Sequence, residues 1–98
     1  ELPPVHLIAD RILSRYCPVK SEFKMDYSEI LIKKYREAAA DGIVIFIFRF
    51  CDPQYMEYAM ARSGLEDANI PFIVLEPVIG GDNFKQIETR LEAFIENL

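Results

Sequence analysis

The stretch Asp41-Gly42-Ile43-Val44-Ile45-Phe46-Ile47-Phe48-Arg49-Phe50-Cys51-Asp52-Pro53 decides how the rest of the chain reads. Ile43 to Phe48 is an unbroken apolar run, rich in β-branched and aromatic residues and without polar alternation. Such a run reads as a central strand of a parallel sheet, with both faces expected to be buried. Past it come a cation, a thiol, a carboxylate and a proline. Asp52 suits a helix cap and Pro53 the first helical position. Cys51 then falls between the end of a buried strand and the start of a helix, on the edge where open α/β sheets bind ligands.

Downstream, a helix is expected from Asp52 to about Ala68, with Gly64 inside it costing ~1 kcal/mol relative to alanine and predicting a late start or a kink. Asn69 suits the left-handed position after that helix, and Ile70-Pro71 stops it. Phe72 to Leu75 reads as a second, short strand ending at Glu76-Pro77. Gly80-Gly81 is a turn. Asn83 with Gln86 fits a capping box. Phe84, Ile87, Leu91, Phe94 and Leu98 then make the cleanest amphipathic stripe in the chain, and the first four are expected to dock on the sheet.

Upstream, Val5, Ile8, Ile12, Leu13 and Tyr16 recur at helical steps behind Pro3 and Pro4, and Cys17-Pro18 is expected to end that helix. Val19 to Met25 reads as a loop. Asp26 with Glu29 fits a second capping box. Tyr27, Ile30, Leu31, Tyr35 and Ala38 form the stripe of a helix reaching about Ala40, where Asp41-Gly42 turns the chain into the first strand. The order is α-α-β-α-β-α, an α/β class with a Rossmann-like parallel sheet and flanking helices. Two parallel strands alone leave open edges, and the first strand is not reached until residue 43. The chain therefore reads as a segment of a larger α/β subunit.

Composition limits the function classes. The chain has 98 residues, enough for one domain, and a net charge of -5 that disfavours nucleic acid as a partner. No apolar run reaches membrane-spanning length and no signal-peptide pattern opens the chain, so a cytoplasmic location is expected. The two cysteines and the single His6 cannot assemble a zinc site. His6 reads as a surface residue.

Cys51 is the first candidate for chemistry, because a helix N-terminus favours thiolate, the form that attacks or binds metal. A packing role at a strand end is the competing reading. Cys17 closes a helix, where the field is reversed, and reads as structural. Arg49 interrupts an apolar run and needs an acid, a ligand or a route to water. Glu76 ends the second strand on the same edge as Cys51. Gln86, Thr89 and Arg90 open the last helix, with Thr89 and Arg90 off its apolar stripe. A solvated face explains Thr89 and Arg90 as well as a site does, a solvated strand end explains Glu76 better than a ligand contact, and Asp52 reads as a cap whatever else it does. No Ser/His/Asp or Cys/His set can be assembled.

Three pieces in order carry a family resemblance: Asp41-Gly42-Ile43-Val44 running into Phe50-Cys51-Asp52-Pro53, then Asn69-Ile70-Pro71 before Val74-Leu75-Glu76, then Gln86 with Thr89-Arg90-Leu91-Glu92-Ala93-Phe94-Ile95-Glu96. Together they resemble the C-terminal part of a 2-hydroxyacyl-CoA dehydratase subunit, in the family that also includes benzoyl-CoA reductase subunits. The resemblance covers nearly the whole chain, residues 1–98 being read as the C-terminal α/β domain. It departs from the family pattern at Arg49 (commonly lysine), Ala59 (commonly proline after an acidic-aromatic pair, here Glu57-Tyr58), Asn69 (glycine) and Lys85 (glycine before Gln86). Lys85 puts a role for Gln86 in doubt, whereas none of the departures removes Cys51.

The resemblance implies a subunit of two Rossmann-like domains, paired with a related second subunit, that holds a [4Fe-4S] cluster through three cysteines. Cys51 corresponds to one of them, and the other two would lie in the N-terminal domain. It implies an ATP-dependent iron-sulfur activator that delivers an electron, and an acyl-CoA substrate. A ketyl radical of the thioester then loses water in the dehydratases, and an aromatic ring is reduced in the reductases. Arg49, Asp52, Glu76, Gln86, Thr89 and Arg90 are the residues placed on the substrate side. On this reading the chain is not active alone. The alternatives are a non-catalytic α/β interaction module and a cluster-free structural subunit.

Overall fold

The computed structural model describes residues 2–15 and 26–98. Helix α1 (Pro4–Ser14) and helix α2 (Tyr27–Glu37) precede strand β1 (Ile43–Phe46), helix α3 (Asp52–Asp67), strand β2 (Phe72–Leu75) and helix α4 (Phe84–Glu96). The expected element order holds, and the class is α/β, with four helices and a two-stranded parallel sheet. The strands pair in register from Ile43 opposite Phe72 to Phe46 opposite Leu75. Ile47 N–H still donates to Leu75 O at 3.0 Å and Arg49 N–H to Pro77 O at 3.3 Å. β1 is thus shorter than its apolar run because β2 is short, bracketed by Pro71 and Pro77.

The core lies between one face of the sheet and the α2–α3 pair. Ile45, Ile47, Leu65 and Ile70 are buried there, with Leu31, Ile32, Tyr35, Tyr55, Tyr58, Phe72 and Val74 packed around them. Tyr58 and Phe72 meet edge to face, with ring centroids 6.3 Å apart. The expectation that both faces of β1 are buried is corrected: Val44, Phe46 and Phe48, which alternate with the core residues, are 39%, 54% and 45% exposed. α4 reaches this second face but packs chiefly along β2. Its far end closes on the start of β1, where a Cβ at Gly42 would lie 2.9 Å from Phe94 Cζ and 3.0 Å from Leu98 Cδ2. Ile87, Leu91 and Phe94 are half-buried, whereas Phe84, expected to dock, is 70% exposed. The stripe is real, but its first turn overhangs the sheet.

Local signals end the helices as expected in some places and differently in others. Asp26 caps α2, its side chain accepting from Ser28 N–H at 2.9 Å. α2 and α3 both finish with a left-handed residue, Ala39 at φ 48° and Asn69 at φ 53°. In each, the N–H of that residue and of the next reach back to the last turn: Ala39 to Arg36 O and Ala40 to Tyr35 O, Asn69 to Glu66 O and Ile70 to Leu65 O. Gly64 neither delays nor interrupts α3. It lies where α3 crosses α2, and a side chain there would collide with the buried Ser28. α1 starts at Pro4 behind Pro3, ends at Ser14 with Arg15 extended, and buries none of its residues. The expected stop at Cys17-Pro18 and the loop from Val19 to Met25 lie outside the described residues. Among the described residues, no helix is long and apolar enough to cross a membrane.

Candidate functional site

Beyond β1 the chain makes a tight turn before α3. Cys51 N–H donates to Phe48 O at 3.0 Å, so Arg49 and Phe50 occupy the two central positions. Phe50 has φ 71° and is 87% exposed. A left-handed third residue is the position that glycine or asparagine ordinarily fills in a type II turn, and a bulky residue there is an outlier. Arg49 therefore does not interrupt a strand; it sits in a turn with its side chain free to reach outward. Phe48 N–H is taken by Gln54 Oε1 at 3.2 Å, which ties the strand end to the first turn of α3.

The turn sets Cys51, not Asp52, at the cap of α3. Asp52 is the first helical residue and Pro53 follows it, so the expected cap is displaced by one position. Asp52 still places a carboxylate at the positive end of the helix. Cys51 is half-buried and its thiol is free. It makes no side-chain cap bond.

Glu76, at the end of β2, faces the same edge. Its Oε1 accepts from Tyr55 OH at 3.1 Å, and partial burial followed by this bond raises the Tyr55 phenol above its ordinary value. Asn83, expected to cap α4, does not; its side chain instead clasps the preceding loop. Nδ2 donates to Glu76 O at 3.1 Å and Oδ1 accepts from Val78 N–H at 3.3 Å. That clasp brings the start of α4 beside the ends of β1 and β2. A cleft of about 60 Å³ results, lined by Arg49, Glu76, Asn83, Gln86, Ile87 and Arg90.

Four of the residues singled out in the sequence therefore meet: Arg49, Glu76, Gln86 and Arg90. Asp52 and Thr89 do not line the cleft. Thr89 is exposed, and its hydroxyl donates to Lys85 O of its own helix at 3.0 Å. Tyr55 carries no signal in the sequence because its partner, Glu76, lies at β2's far end, and Asn83 reads there only as a cap although it holds the loop from Glu76 to Val78. A second cavity, about 190 Å³, lies against β1 and the α2–α3 pair, lined by Tyr27, Ile45, Phe46, Ile47, Gln54, Glu57 and Tyr58. Burial raises both the Tyr27 phenol and the Glu57 carboxyl.

A cluster held by thiolates needs several cysteines. Among the described residues, no group of three or more His, Cys, Asp or Glu side chains could hold a metal ion. Cys51 fits as a single ligand, since its sulfur is not spent on capping its own helix and it lies on the ligand edge of the sheet.

Residues 1–98 match the family model described as 2-hydroxyglutaryl-CoA dehydratase, D-component. The chain is 28% identical, over 97% of its length, to the (R)-phenyllactyl-CoA dehydratase beta subunit of Clostridium sporogenes. It is 30% identical over 84% to lactoyl-CoA dehydratase subunit beta of Anaerotignum propionicum. To (R)-2-hydroxyglutaryl-CoA dehydratase, subunit beta, of Acidaminococcus fermentans it is 35% identical over 72%. The chain covers 25%, 22% and 19% of these three relatives, about a fifth to a quarter of their length. No solved structure matches it. With its whole length matched, the chain belongs to the 2-hydroxyglutaryl-CoA dehydratase D-component family, within the 2-hydroxyacyl-CoA dehydratases.

Proposed function

We propose that this chain is the C-terminal, Rossmann-like domain of a cytoplasmic 2-hydroxyacyl-CoA dehydratase subunit, and that Cys51 gives one thiolate to a [4Fe-4S] cluster. The remaining ligands come from the N-terminal domain. A related second subunit and an ATP-dependent iron-sulfur activator complete the system. The observation that carries the reading is the placement of Cys51: a free thiol at the cap of α3, on the C-terminal edge of two parallel strands. Arg49, two residues before it, lines a polar cleft on that edge. The names of the relatives, all beta subunits of 2-hydroxyacyl-CoA dehydratases, support the substrate class.

When bound, the cluster supplies a single low-potential electron for radical dehydration of an acyl-CoA thioester. The residues of this chain bind and orient. The turn at Phe48–Cys51 fixes the thiol, and the Gln54 bond to Phe48 N–H stiffens that turn. Arg49, Gln86 and Arg90 present donors toward the substrate side, and Glu76 is held in place by Tyr55. Asp52 and Thr89 have supporting positions on α3 and α4, outside the cleft.

The test is anaerobic reconstitution of the complete subunit as Cys51→Ser and as Cys17→Ser. Iron content and the cluster's electron paramagnetic resonance signal are expected to fall with the first change and survive the second. An unchanged cluster in Cys51→Ser would make Cys51 a strand-end packing residue, leaving this domain a cluster-free structural or interaction module.

A further inference from the structure

The cleft between the strand ends and α4 holds an imbalance of charge. Two guanidiniums, Arg49 and Arg90, line it, against one carboxylate, Glu76. Among the described residues neither arginine takes part in an ion pair; the pairs formed are Lys33–Glu37, Arg62–Glu66 and Lys85–Glu88. Glu76 has one oxygen committed to Tyr55. The cleft thus keeps one net positive charge in a chain whose overall charge is -5. The helix end beside it adds to this. Asn83 is drawn off to Glu76 O and Val78 N–H, which leaves α4 without a side-chain cap. The positive end of that helix therefore adjoins the two arginines. Gln86 contributes a neutral amide.

We infer that this cleft is an anion subsite that takes a single carboxylate or phosphate group of the acyl-CoA. The inference rests on the substrate class proposed above and assigns it a contact. The cleft is the smaller of the two cavities, about 60 Å³ against about 190 Å³ beside Tyr27 and Tyr58, which suits a single charged group rather than a whole coenzyme. Planar guanidiniums suit this ligand, since they grip carboxylate and phosphate oxygens in pairs. The anion has two sources in an acyl-CoA: the phosphates of the coenzyme, or a carboxylate at the end of the acyl chain.

The experiment is titration calorimetry on the complete subunit, with three probes. Coenzyme A carries phosphates and no carboxylate, glutaryl-pantetheine carries a carboxylate and no phosphate, and butyryl-pantetheine carries neither. The double variant Arg49→Gln/Arg90→Gln is expected to bind one of the two anionic probes at least tenfold more weakly, with butyryl-pantetheine unchanged. Loss with coenzyme A assigns the phosphate, and loss with glutaryl-pantetheine assigns the carboxylate. Arg49→Lys/Arg90→Lys should recover part of the loss, and Lys85→Gln, which removes an exposed cation outside the cleft, should change nothing. The subsite is overturned if the double variant binds both anionic probes like the parent. Equal weakening by Lys85→Gln, or of butyryl-pantetheine, overturns it as well. Repeating the titrations in a Cys51→Ser background separates the two proposals, because anion binding there requires no cluster.

Discussion

The two faces of β1 are built from the same residue types and meet different fates. Ile45 and Ile47 point into the α2–α3 layer and are 7% and 1% exposed, whereas Val44, Phe46 and Phe48 point the other way and stay between 39% and 54% exposed. Hydrophobicity does not distinguish the faces; the number of helices available to cover them does. α2 and α3 lie together over one face, and α4 covers the β2 side of the other. What remains is an apolar strip on the sheet, and on α1 Val5, Ile8 and Ile12 are exposed as well. Strips of this kind mark interfaces more often than solvent-facing surface. They accord with a chain that spans a fifth to a quarter of its relatives.

The largest expected effect tests the covered face. Leu65 is fully buried, and Leu65→Ala should cost about 2–5 kcal/mol in a denaturant melt. Phe46→Ala on the open face should change stability by no more than about 0.5 kcal/mol. Equal costs for the two would erase the distinction. Phe94, half-buried against Gly42, should fall between them.

Next comes the α2–α3 contact that makes the covered face possible. Gly64→Ala places a methyl where Ser28 sits, and should destabilise by about 1–3 kcal/mol in the same melts despite alanine's better helix propensity. A stabilised Gly64→Ala would mean that the helices can separate freely.

Backbone strain gives a smaller and opposite effect. Ala39 and Phe50 both hold left-handed conformations. Replacing either by glycine should stabilise the chain by about 1 kcal/mol. For Phe50→Gly the gain should appear in the isolated chain, and a loss of affinity should appear on assembly if the exposed ring is buried by a partner. Thermal melts and subunit pull-down measured side by side would separate the two effects.

The smallest effect concerns pH. Burial raises the folded-state Glu57 carboxyl above its unfolded value. The folded state therefore holds that proton more tightly, and the contribution is fully present below the unfolded value. It is lost as pH rises from there through the folded value. Glu57→Gln should flatten that part of the stability–pH curve, read from urea midpoints across the mildly acidic range. An unchanged curve would show that Glu57 is solvated and that the second cavity opens to water.

Several features were legible without coordinates because their causes are local. The apolar run at Ile43–Phe48 and the short one at Phe72–Leu75 announce strands. Asp26 announces a cap, and Asn69 a left-handed stop. The cap of α3 lies one residue ahead of the expected Asp52 because the turn before it runs through Phe50, a residue type that gives no warning of a positive φ. Asn83 departs from its expected cap role because longer-range partners compete for it. Its sequence context fits a cap, but the carbonyl of Glu76 and the N–H of Val78 compete for the same side chain and win.

The sequence by itself determined the order of elements and the position of the free thiol between a strand and a helix, because periodicity, capping residues and prolines act within a few residues of themselves. The tertiary structure decided which face of β1 is covered, why a glycine stands inside α3, and which charged residues share a cleft. Those outcomes depend on contacts between segments far apart in the chain. Arg49 and Arg90 line one cleft only because β1 and β2 run parallel and the Asn83 clasp draws α4 to their ends.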